Sequence, residues 1–350
     1  MQLIAISFAI ASLLRFAASA PASTALATDP VRTVFEFPND TYVENIAVRP
    51  NGQVLVTVLT APRLFLVDPL QPGRAVLVHT FASALGVSGI AEYEPDVYAC
   101  ITGNFSFSTG DVGAGSWAIW SIDLRGVALR PDGTLSAPPR TSQIAAVPPA
   151  RFLNGISLLK AKDKTLLVGD VNGGAIFHVD IKTGDFRVAI NNTYTQVAPA
   201  SPFPPAGVDG VHVCEDALYF TNIGKSIFVK VPISEDGTAA GPFTTVAHTL
   251  SRLDEYDDFT FDCDGNAFLV TGRGNSVEII SPGGRREVII AGNLNSTAIA
   301  EPTSAAFGRG LLDRNVLYVT TAGGLATPVD GDVTIGGQLV ALTTRSRGSC

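Results

Sequence analysis

Six times along the chain, a polar residue opens a short apolar strand, a tight turn follows, and a stronger apolar strand ends on a small polar residue. The units read ENIAVRPNGQVLVTV from Glu44, SGIAEYEPDVYACITG from Ser88, NGISLLKAKDKTLLVGD from Asn154, DGVHVCEDALYFTN from Asp209, DDFTFDCDGNAFLVTG from Asp257 and TSAAFGRGLLDRNVLYVTTAG from Thr303. Successive starts mostly lie about 45 to 55 residues apart, the spacing of a structural repeat. The longer gap between Ser88 and Asn154 holds the Pro/Gly/Ser-rich stretch RPDGTLSAPPRTS. Each unit offers a third strand, such as PRLFLVD or GAIFHVDI, and several offer a fourth, such as RAVLVHTF. Pro-Asn-Gly at 50–52 and Cys-Asp-Gly at 263–265 are hairpin-turn chemistry. Nothing in the body shows sustained helical periodicity.

Four short strands repeated at this period predict an all-β chain: a six-bladed β-propeller, with four-stranded antiparallel blades around a central channel. The early strand RTVFEF has no unit of its own and is expected to complete the last blade and close the ring. A sandwich array or two β domains is the alternative reading of the same strands.

Composition narrows the function classes. Hydrophobic residues make up 46% of the 350, enough for a large core, and all-β folds of this length commonly form one domain. A net charge of -8, with no run of basic residues, argues against nucleic acid and against an anionic membrane as partner. The opening MQLIAISFAIASLLRFAASA reads as a secretory signal peptide over residues 1–27, leaving one propeller domain over 28–350 and an extracellular or secretory-pathway location. Arg15 sits late for such a leader, and a membrane anchor is the alternative, although the apolar run is short for a span. Sequons at Asn39, Asn104, Asn191 and Asn295 are glycosylation acceptors on that route. Cys100, Cys214, Cys263 and Cys350 are even in number and allow two disulfides. None forms C-x-x-C, so neither zinc nor thiol redox chemistry is suggested.

In a propeller the first strand of each blade lines the channel. The unit-start residues Glu44, Ser88, Asn154, Asp209, Asp257 and Thr303 are therefore expected to face one another across the axis. Three carboxylates at one spot repel unless something compensates. Calcium is one solution, with Glu44, Asn154, Asp209 and Asp257 as oxygen ligands. A carboxyl kept protonated by its neighbours and used as an acid is another, and a solvated polar funnel is the third. His212, on the inner strand after Asp209, is a further candidate, with a wall position as its plainer reading. The sequence holds no G-x-S-x-G elbow, H-E-x-x-H, P-loop or dinucleotide fingerprint.

At these residues the chain resembles the gluconolactonase, senescence-marker and strictosidine-synthase-like superfamily of six-bladed propellers. Glu44 before NIAV resembles the family's first-blade Glu, Asn154 in LNGIS resembles its NG ligand, and Asp257 or Asp209 resembles the late-blade Asp. One asparagine of the family pattern is aspartate here. The lactonase members imply a calcium or zinc ion held by Glu44, Asn154, Asp209 and Asp257, with lactone hydrolysis as the reaction. In overall pattern the chain is most similar to the fungal secreted hetero-Diels–Alderases of secondary metabolism. That resemblance implies an enzyme joining a tropolone-type o-quinone methide to a terpene alkene, with no cofactor required and a polyketide or terpenoid small molecule as its partner. Asp209, Asp257 and His212 would be the catalytic polar groups. Ser88, Asn154, Thr303, Phe105, Trp117 and Phe203 would bind substrate, ordinary blade packing being the alternative for each aromatic. A non-enzymatic secreted binding propeller is the remaining reading. Endoglycosidase treatment of protein secreted by a fungal host is expected to increase gel mobility; unchanged mobility would show that none of the four sequons is used.

Overall fold

The computed structural model describes residues 31–160, 162–198, 205–251, 254–284 and 287–348. The leader expected over residues 1–27, Phe203 and Cys350 lie outside them. The described chain is a six-bladed β-propeller, each blade a four-stranded antiparallel sheet. The first strand, β1 (Val31–Glu36), belongs to the last blade. Blade one is β2 (Val43–Val48), β3 (Val54–Val58), β4 (Arg63–Val67) and β5 (Ala75–Thr80). Blade two is β6 (Gly86–Glu94), β7 (Val97–Gly103), β8 (Ala118–Asp123) and β9 (Arg140–Ala146). Blade three is β10 (Leu153–Lys160), β11 (Thr165–Asp170), β12 (Ala175–Asp180) and β13 (Phe186–Ile190). Blade four is β14 (Val208–Cys214), β15 (Ala217–Asn222), β16 (Ile227–Pro232) and β17 (Thr244–His248). Blade five is β18 (Phe259–Phe261), β19 (Ala267–Thr271), β20 (Ser276–Ile280) and β21 (Glu287–Gly292). Blade six is β22 (Pro302–Phe307), β23 (Val316–Thr321), β24 (Gln338–Thr343) and β1. Helix among the described residues is limited to three single 3-10 turns.

Burial explains the composition of each strand. The second strands β3, β7, β11 and β19 are buried along their whole length. Both of their faces meet neighbouring blades, so they read as continuous apolar runs without alternation. The outer strands β5, β9 and β13 are partly open to solvent, exposing polar residues such as Thr80, Ser142, Gln143 and Arg187 alongside the apolar Leu77 and Val188. The core is accordingly divided among the seams. One cluster joins Leu55, Leu64 and Leu66 of blade one to Val87, Tyr98 and Ile122 of blade two, and another joins Ile101 and Ile119 of blade two to Ile156, Leu166 and Val168 of blade three. The ring closes where β1 pairs antiparallel with β24, Val31 opposite Leu342 and Glu36 opposite Gln338. That closure is the place expected for RTVFEF.

Cys100 is a free thiol sealed in the seam between blades one and two, and Cys263 is an exposed free thiol. With these two free, the structure does not contain the two disulfides that the even cysteine count allows. Cys100 cannot reach a partner without opening a packed seam. Of the sequons, Asn39, Asn191 and Asn295 are exposed and Asn104 is half-buried.

Near the axis the inner strands approach so closely that side chains must be omitted. A Cβ on Gly89 would lie 2.0 Å from the Asn154 carbonyl oxygen, and one on Gly155 would lie 2.0 Å from the Asp209 carbonyl oxygen. Elsewhere a hydroxyl bridges the gap. Thr57 donates to the Ser88 carbonyl at 2.6 Å, Ser88 to the Leu153 carbonyl at 2.7 Å, and Thr303 to the Val43 carbonyl at 2.8 Å. Gly155→Ala is therefore expected to lower stability by about 1–3 kcal/mol, the usual cost of overpacking a rigid site. Chemical denaturation of the variant checks this, and an unchanged midpoint would show that the seam has slack.

Candidate active site in the central channel

The unit-start residues sit where the inner strands lose register. In five of the six blades the pairing of the inner strand with its neighbour slips, between Val43 and Ile46, Val87 and Ile90, Leu153 and Ile156, Val208 and Val211, and Pro302 and Ser304, whereas the short β18 of blade five pairs without a slip. A β-bulge of this kind re-aims a side chain that regular pleating would send into the sheet. Here it turns Glu44, Asn154 and Asp209 towards the axis, and Asp257, just ahead of β18, joins them. All four line one cavity of about 530 Å³.

The acids are held away from water. Asn154 Nδ2 donates to Glu44 Oε1 at 2.6 Å. The other oxygens of that pair, Glu44 Oε2 and Asn154 Oδ1, are buried with no hydrogen-bond partner. Burial raises the Glu44 carboxyl to about 7, partly offset by the Asn154 hydrogen bond and assisted by the charge of Asp258. A neutral Glu44 carries the one hydrogen that the two orphaned oxygens lack. Asp209 and Asp257 are both pushed well above the usual carboxylate range, first by burial and then by nearby charge, from Glu44 and Asp258 on Asp209, whose hydrogen bond with Asp257 partly offsets the rise, and from Asp209 and Glu44 on Asp257. Asp257 is also within side-chain hydrogen-bonding reach of Asp209. Two such carboxyls share a proton more readily than they both ionise.

Opposite the acids stands an aromatic wall. Phe105 stacks on Phe152 with ring centres 4.9 Å apart and planes 7° from parallel, and Phe107 stacks on Tyr42 at 5.0 Å. Phe105 and Phe107 meet edge to face at 4.7 Å. Both come from the long connection between β7 and β8, whose Gly110 and Val112 also line the cavity. The Tyr42 hydroxyl is kept protonated by burial and by Glu44, Glu301, Asp257 and Glu255 around it. At the rim Arg273 Nε lies 3.3 Å from Glu255 Oε1.

The remaining candidates from the sequence are distributed differently. Ser88 and Thr303 are at the same level but buried, their hydroxyls committed to the seams. Trp117 packs behind Phe152 and donates its indole N–H to the carbonyls of Val112 and Arg151, so it supports the wall without lining the cavity. His212 does not line this cavity. It packs against Phe259 and faces Asp258 Oδ1 at 2.8 Å. Asp258 also accepts from Asn45 Nδ2, Ser304 Oγ and the Phe259 N–H. Burial alone would raise the Asp258 carboxyl, but the His212 ring and these hydrogen bonds outweigh it and hold the group below the usual range. Tyr42, Phe107, Phe152, Glu255 and Arg273 were not singled out by the sequence pattern. Tyr42 lies two residues before Glu44, and Glu255 two before Asp257, so proximity to a unit start was the available signal.

A divalent ion would need oxygens turned onto one point. Glu44 instead faces an amide N–H, and Asp209 faces Asp257. Among the described residues no three His, Cys, Asp or Glu side chains gather as a metal-holding group. As placed, these side chains hydrogen-bond to one another and do not converge on one point.

No protein-family model matches the chain. A protein of Phoma sp, described provisionally as a hetero-Diels-Alderase, is 26% identical over 331 residues, covering 88% of this chain and 91% of its own. Another of Sarocladium schorii, asR5, described in the same provisional terms, is 28% identical over 353 residues, covering 92% and 86%. The likeness is to hetero-Diels-Alderases. In fold, a luciferin-regenerating enzyme matches with a TM-score of 0.65 at 16% identity, over 92% of this chain and 98% of its own. Regucalcin from Agrobacterium tumefaciens, a calcium-binding protein, matches at 0.62 and 15%, over 93% and 98%. These likenesses are of fold alone, and they agree with the propeller that the strand order gives.

A carboxyl raised in the folded state binds its proton more tightly there than in the unfolded chain. Its stabilisation is complete below the unfolded value and is lost as pH rises through the folded one. For Glu44 that window runs from 4.5 to about 7, and the loss amounts to roughly 3 kcal/mol at 1.36 kcal/mol per unit. The melting temperature is expected to fall between pH 5 and pH 8, taken as approximate ends of that window. Glu44→Gln should flatten the fall; an equal slope in both proteins would show that Glu44 titrates normally.

Proposed function

We propose that the protein is a small-molecule enzyme of secondary metabolism, a pericyclase that performs a hetero-Diels–Alder reaction in the central cavity. The observation that carries this is the cavity itself, whose lining combines packed aromatic rings with buried carboxyls raised above their usual range. The two relatives named as hetero-Diels-Alderases support the reading along most of the chain. A [4+2] addition moves no net proton or electron; one C–O and one C–C bond form together. The enzyme therefore works by holding heterodiene and alkene in register and by excluding water. The substrate class is a tropolone-type o-quinone methide with a terpene alkene.

The acids supply what stacking cannot. A hydrogen bond from the Asp209–Asp257 pair to the heterodiene oxygen withdraws electron density and lowers the barrier. The same pair can generate the quinone methide from an alcohol precursor. The shared proton passes to the departing hydroxyl, the C–O bond breaks and water leaves. The carboxylate then takes the proton of the precursor's enolic hydroxyl, which restores the acid. Glu44, clamped by Asn154, is placed to hold the same oxygen.

The test is product formation from a quinone-methide precursor plus alkene. Asp209→Asn is expected to lower the rate by about a hundredfold to ten-thousandfold, the range for general acid catalysis, with the melting temperature preserved. Full activity in Asp209→Asn would remove the acid from the mechanism. Lactones supplied with calcium or zinc form the control. Turnover there, abolished by chelator and absent with the precursor, would make the protein a lactonase. No turnover in either assay would leave the binding-propeller reading.

A further inference from the structure

The opposite end of blade six carries a second concave site. β22 and β24 both start beside the cavity, next to Glu301 and Gly337, and run away from it. At their far ends the 308–315 loop and the 344–347 segment meet in a groove of about 580 Å³ lined by Leu311, Arg314, Asn315, Thr344, Arg345 and Arg347. The meeting is fixed by backbone bonds. Thr344 N–H donates to the Asn315 carbonyl, Gly348 N–H to the Arg314 carbonyl, and Cys263 N–H to the Arg347 carbonyl, each at 2.8–3.0 Å.

Two features of this groove are unusual for the molecule. Three arginines converge in a chain whose net charge is -8. The carboxylate next to Arg314 in sequence, Asp313, is turned inward, accepting from the Gly310 N–H at 2.7 Å and the Tyr318 hydroxyl at 3.1 Å. Asp264, on the turn that carries Cys263, is the exposed acid nearby. Beside the arginines stand Leu311 and Leu312, 84% and 87% exposed, the most exposed large apolar side chains among the described residues. An apolar tip ringed by cations matches the two layers of an anionic bilayer surface: the acyl boundary takes the leucines, and the lipid phosphates take the guanidinium groups. Repulsion by the distant acids is screened beyond about 10 Å at ordinary ionic strength. Among the described residues no helix is long and apolar enough to cross a membrane, so attachment here is peripheral.

We propose that this patch docks the protein on anionic phospholipid, with Leu311 and Leu312 inserted at the interface and Arg314, Arg345 and Arg347 on the headgroup phosphates. The test is co-sedimentation with vesicles of phosphatidylcholine containing about one-third phosphatidylglycerol, against phosphatidylcholine alone. Wild type, Leu311→Ser/Leu312→Ser and Arg314→Gln/Arg345→Gln/Arg347→Gln are compared on the same full chain, so the apolar amino-terminal segment contributes equally to all three. The partition coefficient should fall about tenfold or more in each variant, and wild-type binding should weaken with salt. All substituted side chains are exposed, and unchanged melting temperatures would confirm folding. Equal sedimentation of the three proteins overturns the proposal. So does a wild type that binds inorganic phosphate, by thermal shift, but not the vesicles: the groove is then a pocket for a free anion.

Discussion

Everything at the axis depends on how closely six inner strands can approach. Gly89 and Gly155 give up their side chains so that a neighbour's carbonyl can sit where Cβ would be. Thr57, Ser88 and Thr303 bridge the seams that are wider. Asp258, next in sequence to Asp257, ties four blades together through its hydrogen bonds from Asn45, Ser304 and the Phe259 N–H and its contact with His212. The acids of the cavity titrate in low dielectric because the ring is tight.

The fold was legible because its signal is repetitive. A polar residue followed by two apolar strands recurs six times; five of the starts fall on an inner strand and the sixth, Asp257, just ahead of one. The closing role of RTVFEF followed from its having no unit of its own. At the site, the sequence located the level of the cluster but not the fate of each side chain. Ser88 and Thr303 share that level with Glu44 and Asp209, yet their hydroxyls are spent on the seams. Sequence alone cannot separate a seam from a site, because which bulge residue turns inward depends on the neighbouring blade. His212 shows the same limit: three residues along β14 it belongs to Asp258, whose partners Asn45 and Ser304 come from other blades. The aromatic wall was half visible. Phe105 was legible as an aromatic in a long connection, whereas Phe107 and Tyr42 gain meaning only from stacking across blades.

The acids and the wall contribute different things to the proposed reaction. Buried carboxyls with one proton between them offer directional hydrogen bonds and spread a single negative charge over both groups. Stacked rings offer flat surfaces for conjugated reactants and no chemistry of their own. The same bulge positions of such a frame can serve a bound metal or a shared proton. The difference lies in whether oxygens point at a common centre or at one another's protons.

The ring closure sets the order in which the molecule can assemble. Glu36 and Gln338 are hydrogen-bonded across 302 residues of chain, so the last blade lacks its outer strand until nearly the whole polypeptide has been synthesised. Contacts of such long range are slow to form, because loop closure entropy precedes any gain from pairing. Until then β1 must stay unpaired through the folding of five blades, and β24, made last, presents an open edge until β1 docks on it. Open edges of that kind recruit other chains. Folding yield at high concentration is therefore governed at one seam, and a shortened or mispaired β1 would be felt first as aggregation during synthesis, before any loss of the finished molecule's activity.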